Sequence, residues 1–182
     1  RQEIANKLSI LRTHGITRDV NLISNKKEGQ WYYEQVELGF NYRITDIQAA
    51  LGLSQLTRLE AIVEKRNKLA QIYQFLLKDL PVKLQKMHRF SKSSYHLFVV
   101  QIESSINRKN VFDSLRNAGV GVNVHYIPIY KQPFYKKFNF NKEEFSGCEK
   151  YYNSCISLPL YPELTNEDLH FVHDNLKKAL GC

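Results

Sequence analysis

Asn41-Tyr42-Arg43 sets an amide, a phenol and a guanidinium side by side in a short loop behind Gly39. Amide and guanidinium N–H groups are the donors that a phosphate or a carboxylate takes. This loop runs into a helix start, whose unpaired backbone N–H groups and dipole favour an anion further. Thr45 marks that start: Gln48 three residues on completes a capping box, and Asp46 suits the positive end of the helix. Ala49, Ala50, Gly52 and Ser54 follow, small enough for another backbone to approach closely. The plainer alternative leaves Asn41 shaping a turn and Arg43 in a surface ion pair.

A second group of polar-tipped side chains lies in His125-Tyr126-Ile127-Pro128-Ile129-Tyr130. Gly121 to Ile127 has strand composition, Pro128 stops it and Pro133 turns the chain, so His125, Tyr126 and Tyr130 fall at a strand edge. There they either line a sugar or base pocket or pack beneath the loop. His14 stands just before Gly15, at the end of a helical pattern carried by Ile4, Leu8 and Leu11. It serves either as a cap favoured by the helix dipole or as a ligand contact. No Ser/His/Asp set, glycine-rich nucleotide loop or metal-ligand cluster accompanies these residues, so they do not make a self-sufficient active site.

The elements that must position them alternate between helix and strand. Residues 1–14 read as a helix that begins before Arg1, and 16–30 as a polar, turn-like stretch with an exposed tip at 25–29. Trp31 to Leu38 reads as a strand leading into the Asn41 loop. From Thr45 a single helix, with room for a bend, is expected to run to about Lys78; at roughly thirty residues it would span about 45–50 Å, a spine between two parts of a protein. Val82-Lys83-Leu84 is a short strand, and Tyr95 to Ile102, with His96 as a sheet histidine, a stronger and central one. Asn110 to Ala118 is a helix closed by Gly119, and Glu144 to Tyr152 an amphipathic helix. Ile156 to Pro162 is an extended edge segment because of its prolines. Thr165 to Asp168 caps a last helix whose Leu169, Val172, Leu176 and Leu180 face inward, with His170 and His173 at its surface or core. That order makes a compact α/β sandwich.

The 182 residues suffice for one domain, or one plus part of another, and 43% apolar composition suffices for a core. No run of 18 apolar residues occurs and Arg1-Gln2-Glu3-Ile4 is no signal peptide, so the cytoplasm is the simplest address and no membrane partner is expected. Cys148, Cys155 and Cys182 lack CxxC spacing and read as reduced thiols. The net charge of +8 is spread in ones and twos among acids. The charge alone fits an anionic small substrate as well as a nucleic acid, but with no basic block or nucleic-acid motif no nucleic-acid partner is expected.

Gly39-Phe40-Asn41-Tyr42-Arg43, with Asp46-Ile47-Gln48-Ala49-Ala50-Leu51-Gly52 and Gln55-Leu56, resembles the signature of the DegT/DnrJ/StrS sugar aminotransferases. Three further pieces agree in order: Leu11 to Ile16, His125 to Tyr130, and Leu158 to Thr165. The resemblance covers essentially the whole chain but only the C-terminal half of the family. It implies the C-terminal part of a type I PLP-dependent transferase, aspartate aminotransferase-like in fold: a long linking helix plus a small α/β sandwich domain. Residues 1–44 would be the trailing part of the PLP-binding large domain, and 45–182 the linking helix and C-terminal small domain.

The resemblance further implies pyridoxal 5′-phosphate as cofactor, and transfer of an amino group from glutamate to a keto sugar carried on a nucleotide. It also implies a homodimer with shared active sites. The family's Schiff-base lysine lies upstream, and no lysine here matches its motif, so this segment is expected to be inactive alone. Asn41 would reach the cofactor phosphate of the partner subunit; Arg43 would contact substrate or hold the loop. His125, Tyr126 and Tyr130 would border the nucleotide-sugar pocket, with His14 and Arg12 as further candidates. Many members carry a second histidine where Tyr130 stands. His-Tyr-x-Pro-Ile-Tyr is more like the branch acting on a UDP-linked 4-keto sugar in pseudaminic acid synthesis. The alternatives are another keto position or carrier, as in a GDP-perosamine type, or a non-catalytic dimerisation or binding half.

Overall fold

Ile4, Leu8 and Leu11 do space a helix: in the computed structural model, which describes residues 1–25 and 29–182, it spans Gln2–Leu11 (α1). Lys26 to Glu28 of the expected tip lie outside the described residues. The chain forms two compact units, Arg1–Thr57 and Arg58–Cys182. The sequence division at 44/45 thus differs from this one, and the helix that opens after Thr45 groups with the first unit.

In the first unit, His14 (φ 58°) and Gly15 (φ 73°) turn the chain through the left-handed region at the end of α1. The turn delivers Ile16–Thr17 (β1) to an antiparallel pairing with Glu34–Gln35 (β2). The longer strand expected from Trp31 to Leu38 does not form. The Val36 N–H meets the Gly15 carbonyl in register at 2.8 Å, but the Glu37 N–H falls on the same carbonyl at 3.3 Å and the Gly15 N–H goes to the Ile10 carbonyl at 3.0 Å, so the pairing ends there.

Glu34 gathers the loop between β1 and β2. Its carboxylate accepts the Ser24 N–H (2.7 Å), the Ser24 hydroxyl (2.7 Å), the Asn25 N–H (2.9 Å) and the Tyr32 hydroxyl (2.9 Å). The two backbone donors, Ser24 first, hold its pKa down at about 2.

The Thr45 capping box forms as written: the threonine hydroxyl accepts the Gln48 N–H, and the Gln48 side chain accepts the Thr45 N–H at 3.0 Å. The single long helix does not. Asp46–Leu56 (α2) and Leu59–Leu76 (α3) are separate. At the break the Thr57 hydroxyl donates to the Ser54 carbonyl at 2.8 Å and its N–H turns to Gln55, a local competition that ends a helix.

The second unit is built on a three-stranded antiparallel sheet of Val82–Leu84 (β3), Phe98–Ile102 (β4) and Cys155–Leu158 (β5), with β4 central as expected. The strand containing β4 is shorter than the sequence suggests, and His96 lies outside it in a bend. The Arg66 guanidinium takes the carbonyls of Tyr95 (2.7 Å) and His96 (3.3 Å), which removes them from the ladder. Phe98, Val100 and Ile102 face α3, Arg108–Asn117 (α4) and Asn166–Leu180 (α6) in one buried cluster. Asn107 caps α4 and Gly119 (φ 84°) closes it. Thr165 and Asp168 form the second capping box, and Leu169, Val172, Leu176 and Leu180 are buried as expected. Tyr73 of α3 packs 5.0 Å from Phe98 and donates its hydroxyl to the Pro159 carbonyl at 3.1 Å.

β5 stands at the edge of the sheet, and its ladder stops before Pro159. Beyond it lies no further strand: the one expected at Gly121 to Ile127 is reduced to a single bridge, Asn123 to Ser157. The Asn123 side chain accepts the Val124 N–H at 2.8 Å, a local turn at the point where the pairing ends. Ser146–Ser154 (α5) leads into β5. The three cysteines are free thiols, Cys155 buried. Among the described residues no helix is long and apolar enough to cross a membrane.

Leu176 is fully buried whereas Leu8 is largely exposed. Leu176→Ala is therefore expected to cost about 2–5 kcal/mol in denaturant unfolding and Leu8→Ala under about 1 kcal/mol. For Glu34 the folded pKa lies below the ordinary value, so its contribution is complete above pH 4.5 and is lost as pH falls toward about 2. A carboxyl-detected NMR titration is expected to place its midpoint near pH 2, and Glu34→Gln to remove that dependence.

Candidate functional site

The Asn41 loop is strapped to the end of α1 by backbone hydrogen bonds. Phe40 N–H donates to Leu11 O (2.7 Å), His14 N–H to Phe40 O (2.8 Å) and Tyr42 N–H to Arg12 O (2.9 Å), around a bridge between Thr13 and Asn41. This seam needs two glycines. A Cβ on Gly39 would stand 2.1 Å from the Gly15 nitrogen, and one on Gly15 would stand 1.8 Å from the Glu37 carbonyl oxygen. His14, Arg12 and Asn41 are thereby brought together in one piece of the first unit.

Phe40 and Tyr42 stack, ring centroids 4.9 Å apart, on one side of the strap; Asn41, between them in extended chain, takes the other. Asn41 and Arg43 are exposed, and neither side chain has a hydrogen-bond or ion-pair partner among the described residues. The alternative of an ion-paired Arg43 is not what the structure holds. Two donor groups on a fixed backbone beside a capped helix suit an anion.

In the second unit His125 is held from both sides. Its Nδ1 lies 2.7 Å from the hydroxyl of buried Ser157, and its Nε2 lies 3.4 Å from the Asn123 amide nitrogen. Both ring nitrogens are thereby engaged, and a serine hydroxyl can either donate to or accept from the nitrogen it faces. Tyr126 packs edge-on against the ring at 4.6 Å and is otherwise exposed.

Tyr130 is placed differently. It lies in the first of two 3-10 turns, Ile129–Lys131 and Pro133–Phe138, stacks on Phe145 at 4.7 Å and donates its hydroxyl to Glu149. Glu149 also pairs with Lys131 at 2.6 Å. Burial, then the Glu149 hydrogen bond and charge, push the Tyr130 pKa up to about 12, so the phenol is a donor and a wall rather than a proton shuttle.

A family model for the DegT/DnrJ/EryC1/StrS aminotransferases matches residues 1–177. The chain belongs to this family. UDP-4-amino-4,6-dideoxy-N-acetyl-beta-L-altrosamine transaminase of Campylobacter jejuni is 34% identical over 98% of the chain and 46% of its own length. An uncharacterized protein of Methanocaldococcus jannaschii is 37% identical over 99% of the chain and 48% of its own length.

Among solved structures, Helicobacter pylori PseC, an aminotransferase of pseudaminic acid biosynthesis, superposes with a TM-score of 0.85 at 29% identity, covering 100% of this chain and 47% of that one. Spr1654 of Streptococcus pneumoniae in its PMP form gives 0.88 at 26% identity, covering 99% and 45%. The chain thus spans about half the length of the relatives it matches, and its α/β fold is that of the C-terminal part of these family structures.

Three residues that position the family motifs escaped the sequence reading. Ser157 was legible as the lone hydroxyl between Ile156 and Leu158, since a buried hydroxyl requires a partner. Asn123, two residues before His125, and Glu149 carry no such signal; the local backbone turn assigns the first and the packing of a separate segment the second. Glu149→Gln is expected to lower the Tyr130 pKa from about 12 while leaving it above the ordinary value, because burial is the larger cause. Ultraviolet difference titration of tyrosinate measures it.

Proposed function

We propose that this chain is the C-terminal part of a PLP-dependent aminotransferase that moves an amino group from glutamate to the 4-keto carbon of a UDP-linked sugar, as in pseudaminic acid synthesis. The observation that carries the reading is the Asn41-Arg43 loop: two anion donors, exposed and unpartnered within the chain, on a backbone seam that two glycines fix. Those donors fit a phosphate group, the more so beside the α2 N-terminus. When bound, pyridoxal phosphate supplies the electron sink for amino transfer.

This chain's own residues do the rest of what is assigned to them here. Asn41 donates its amide N–H to a phosphate oxygen of the partner subunit's cofactor, in a cytoplasmic homodimer with shared sites. Arg43 adds a charge-assisted bond to substrate or holds the loop. His125, its ring fixed by Ser157 and Asn123, Tyr126 and Tyr130 border the nucleotide-sugar pocket, and His14 flanks the loop. Residues 1–44 are then the trailing part of the large domain and 45–182 the linking segment and small domain. The Schiff-base lysine belongs to another part of the protein, so the segment alone is inactive.

Similarity to a spore coat polysaccharide biosynthesis protein of Bacillus subtilis, 32% identical over 92% of the chain, favours a second reading in which another keto sugar is the acceptor. Mass analysis of products formed by the full-length protein from glutamate and UDP- or GDP-linked keto sugars separates the two. In that full-length protein, Asn41→Ala is expected to weaken cofactor retention about ten- to a hundredfold, the effect of losing a hydrogen bond to a charged group, about 1.5–3 kcal/mol. Retention equal to wild type removes Asn41 from the phosphate site.

A further inference from the structure

The ten residues from Lys131 to Phe140 hold three lysines and four aromatic rings and no carboxylate. They fold as the second 3-10 turn and its flanks, and their rings form a ladder. Tyr135 and Phe138 are 6.1 Å apart, Phe138 and Phe140 6.0 Å, and Phe140 and Phe145 6.0 Å, with Phe145 stacked on Tyr130 at 4.7 Å. The same segment borders a cavity of about 380 Å³ lined by Tyr130, Lys131, Lys136, Asn139 and Phe140. That is within the usual range of small-ligand sites, ~300–1,000 Å³.

The charges around it are uneven. Lys131 is paired with Glu149, and Lys137 sits over the Phe134 ring at 3.9 Å, but Lys136 has no acidic partner among the described residues. Asn139, at φ 50°, ends the turn at the cavity and offers both a donor and an acceptor. Exposed rings alone would also suit a protein partner, yet lysine is depleted from the centres of such interfaces. Rings, an unpaired ammonium and an amide around one small cavity match a nucleotide, whose base stacks and whose phosphates need cations.

We propose that this cavity takes the nucleoside diphosphate end of the substrate, with the base against Phe140 and the diphosphate at Lys136. The inference rests on the nucleotide-sugar reading above and names the residues, beyond Tyr130, that hold the nucleotide end of that substrate. A larger cavity of about 550 Å³, lined in part by Lys83, Gln101, Glu103 and Lys150, has no aromatic ring and carries a carboxylate, so it serves as the control.

Calorimetry on the full-length, cofactor-loaded protein with uridine and uridine diphosphate as probes tests this. Lys136→Ala is expected to weaken uridine diphosphate binding about tenfold, leave uridine unchanged, and flatten the dependence on salt. Phe140→Ala is expected to weaken both probes about five- to tenfold. Lys83→Ala is expected to change neither. Both side chains to be replaced at the site are outside the buried core, and an unaltered melting temperature confirms folding. Wild-type binding with undiminished affinity in Lys136→Ala and Phe140→Ala, or a loss in Lys83→Ala instead, overturns the cavity assignment and leaves the nucleotide-sugar reading intact. A wild-type protein that retains cofactor but binds no uridine diphosphate overturns both.

Discussion

The close approach of two bare backbones, at Gly15 and Gly39, is the constraint on which the first unit depends. Neither position has space for a Cβ, and Gly15 also carries the left-handed φ that closes the turn after α1. With no side chain in the way, the loop can lie along the helix end and exchange three backbone hydrogen bonds with it. Those bonds satisfy carbonyls that the last turn of α1 would otherwise leave open. The same bonds fix which way residue 41 faces. A loop would ordinarily be loose; here it inherits the rigidity of a helix terminus.

The second unit reaches precision by a different route. One face of its sheet is covered by α3, α4 and α6, and every apolar side chain that is buried among the described residues belongs to this unit. Burial of β5 takes Ser157 out of water with it, and the hydroxyl must find a partner. His125 is that partner, and Asn123 secures the ring from the other nitrogen. The histidine is thus oriented by the core, although it stands at the edge of the sheet. Glu149 acts similarly on the next segment, where one carboxylate holds both Tyr130 and Lys131.

The two units therefore present chemistry of different kinds. The first exposes unpaired donors, and also Leu38, Ile47 and Trp31, with backbone seams and the Glu34 carboxylate as its local ties. The second exposes an aromatic and cationic lobe on a well-packed base.

Sequence alone determined what depends on a few neighbouring residues. Both capping boxes, the glycine stops after α1 and α4, the central place of β4 and the inward stripe of α6 follow from short spacings, and four ordered motifs sufficed to indicate the family. What failed in the reading were segments whose backbone had a choice of partner. Trp31 to Leu38 and Gly121 to Ile127 have strand composition, but the Gly15 N–H pairs with Ile10 where the first ladder would continue, and the chain turns locally at Asn123 in the second. The apolar stripe beyond Thr45 continues through residues 57 and 58, yet a threonine hydroxyl ends the helix there. Tertiary structure alone decided that Ser157 and Asn123 clamp His125 and that Glu149 claims Tyr130. The bonds from Ser157 and Glu149 join residues far apart in the chain, and composition and periodicity carry no record of which distant group a buried polar atom will meet.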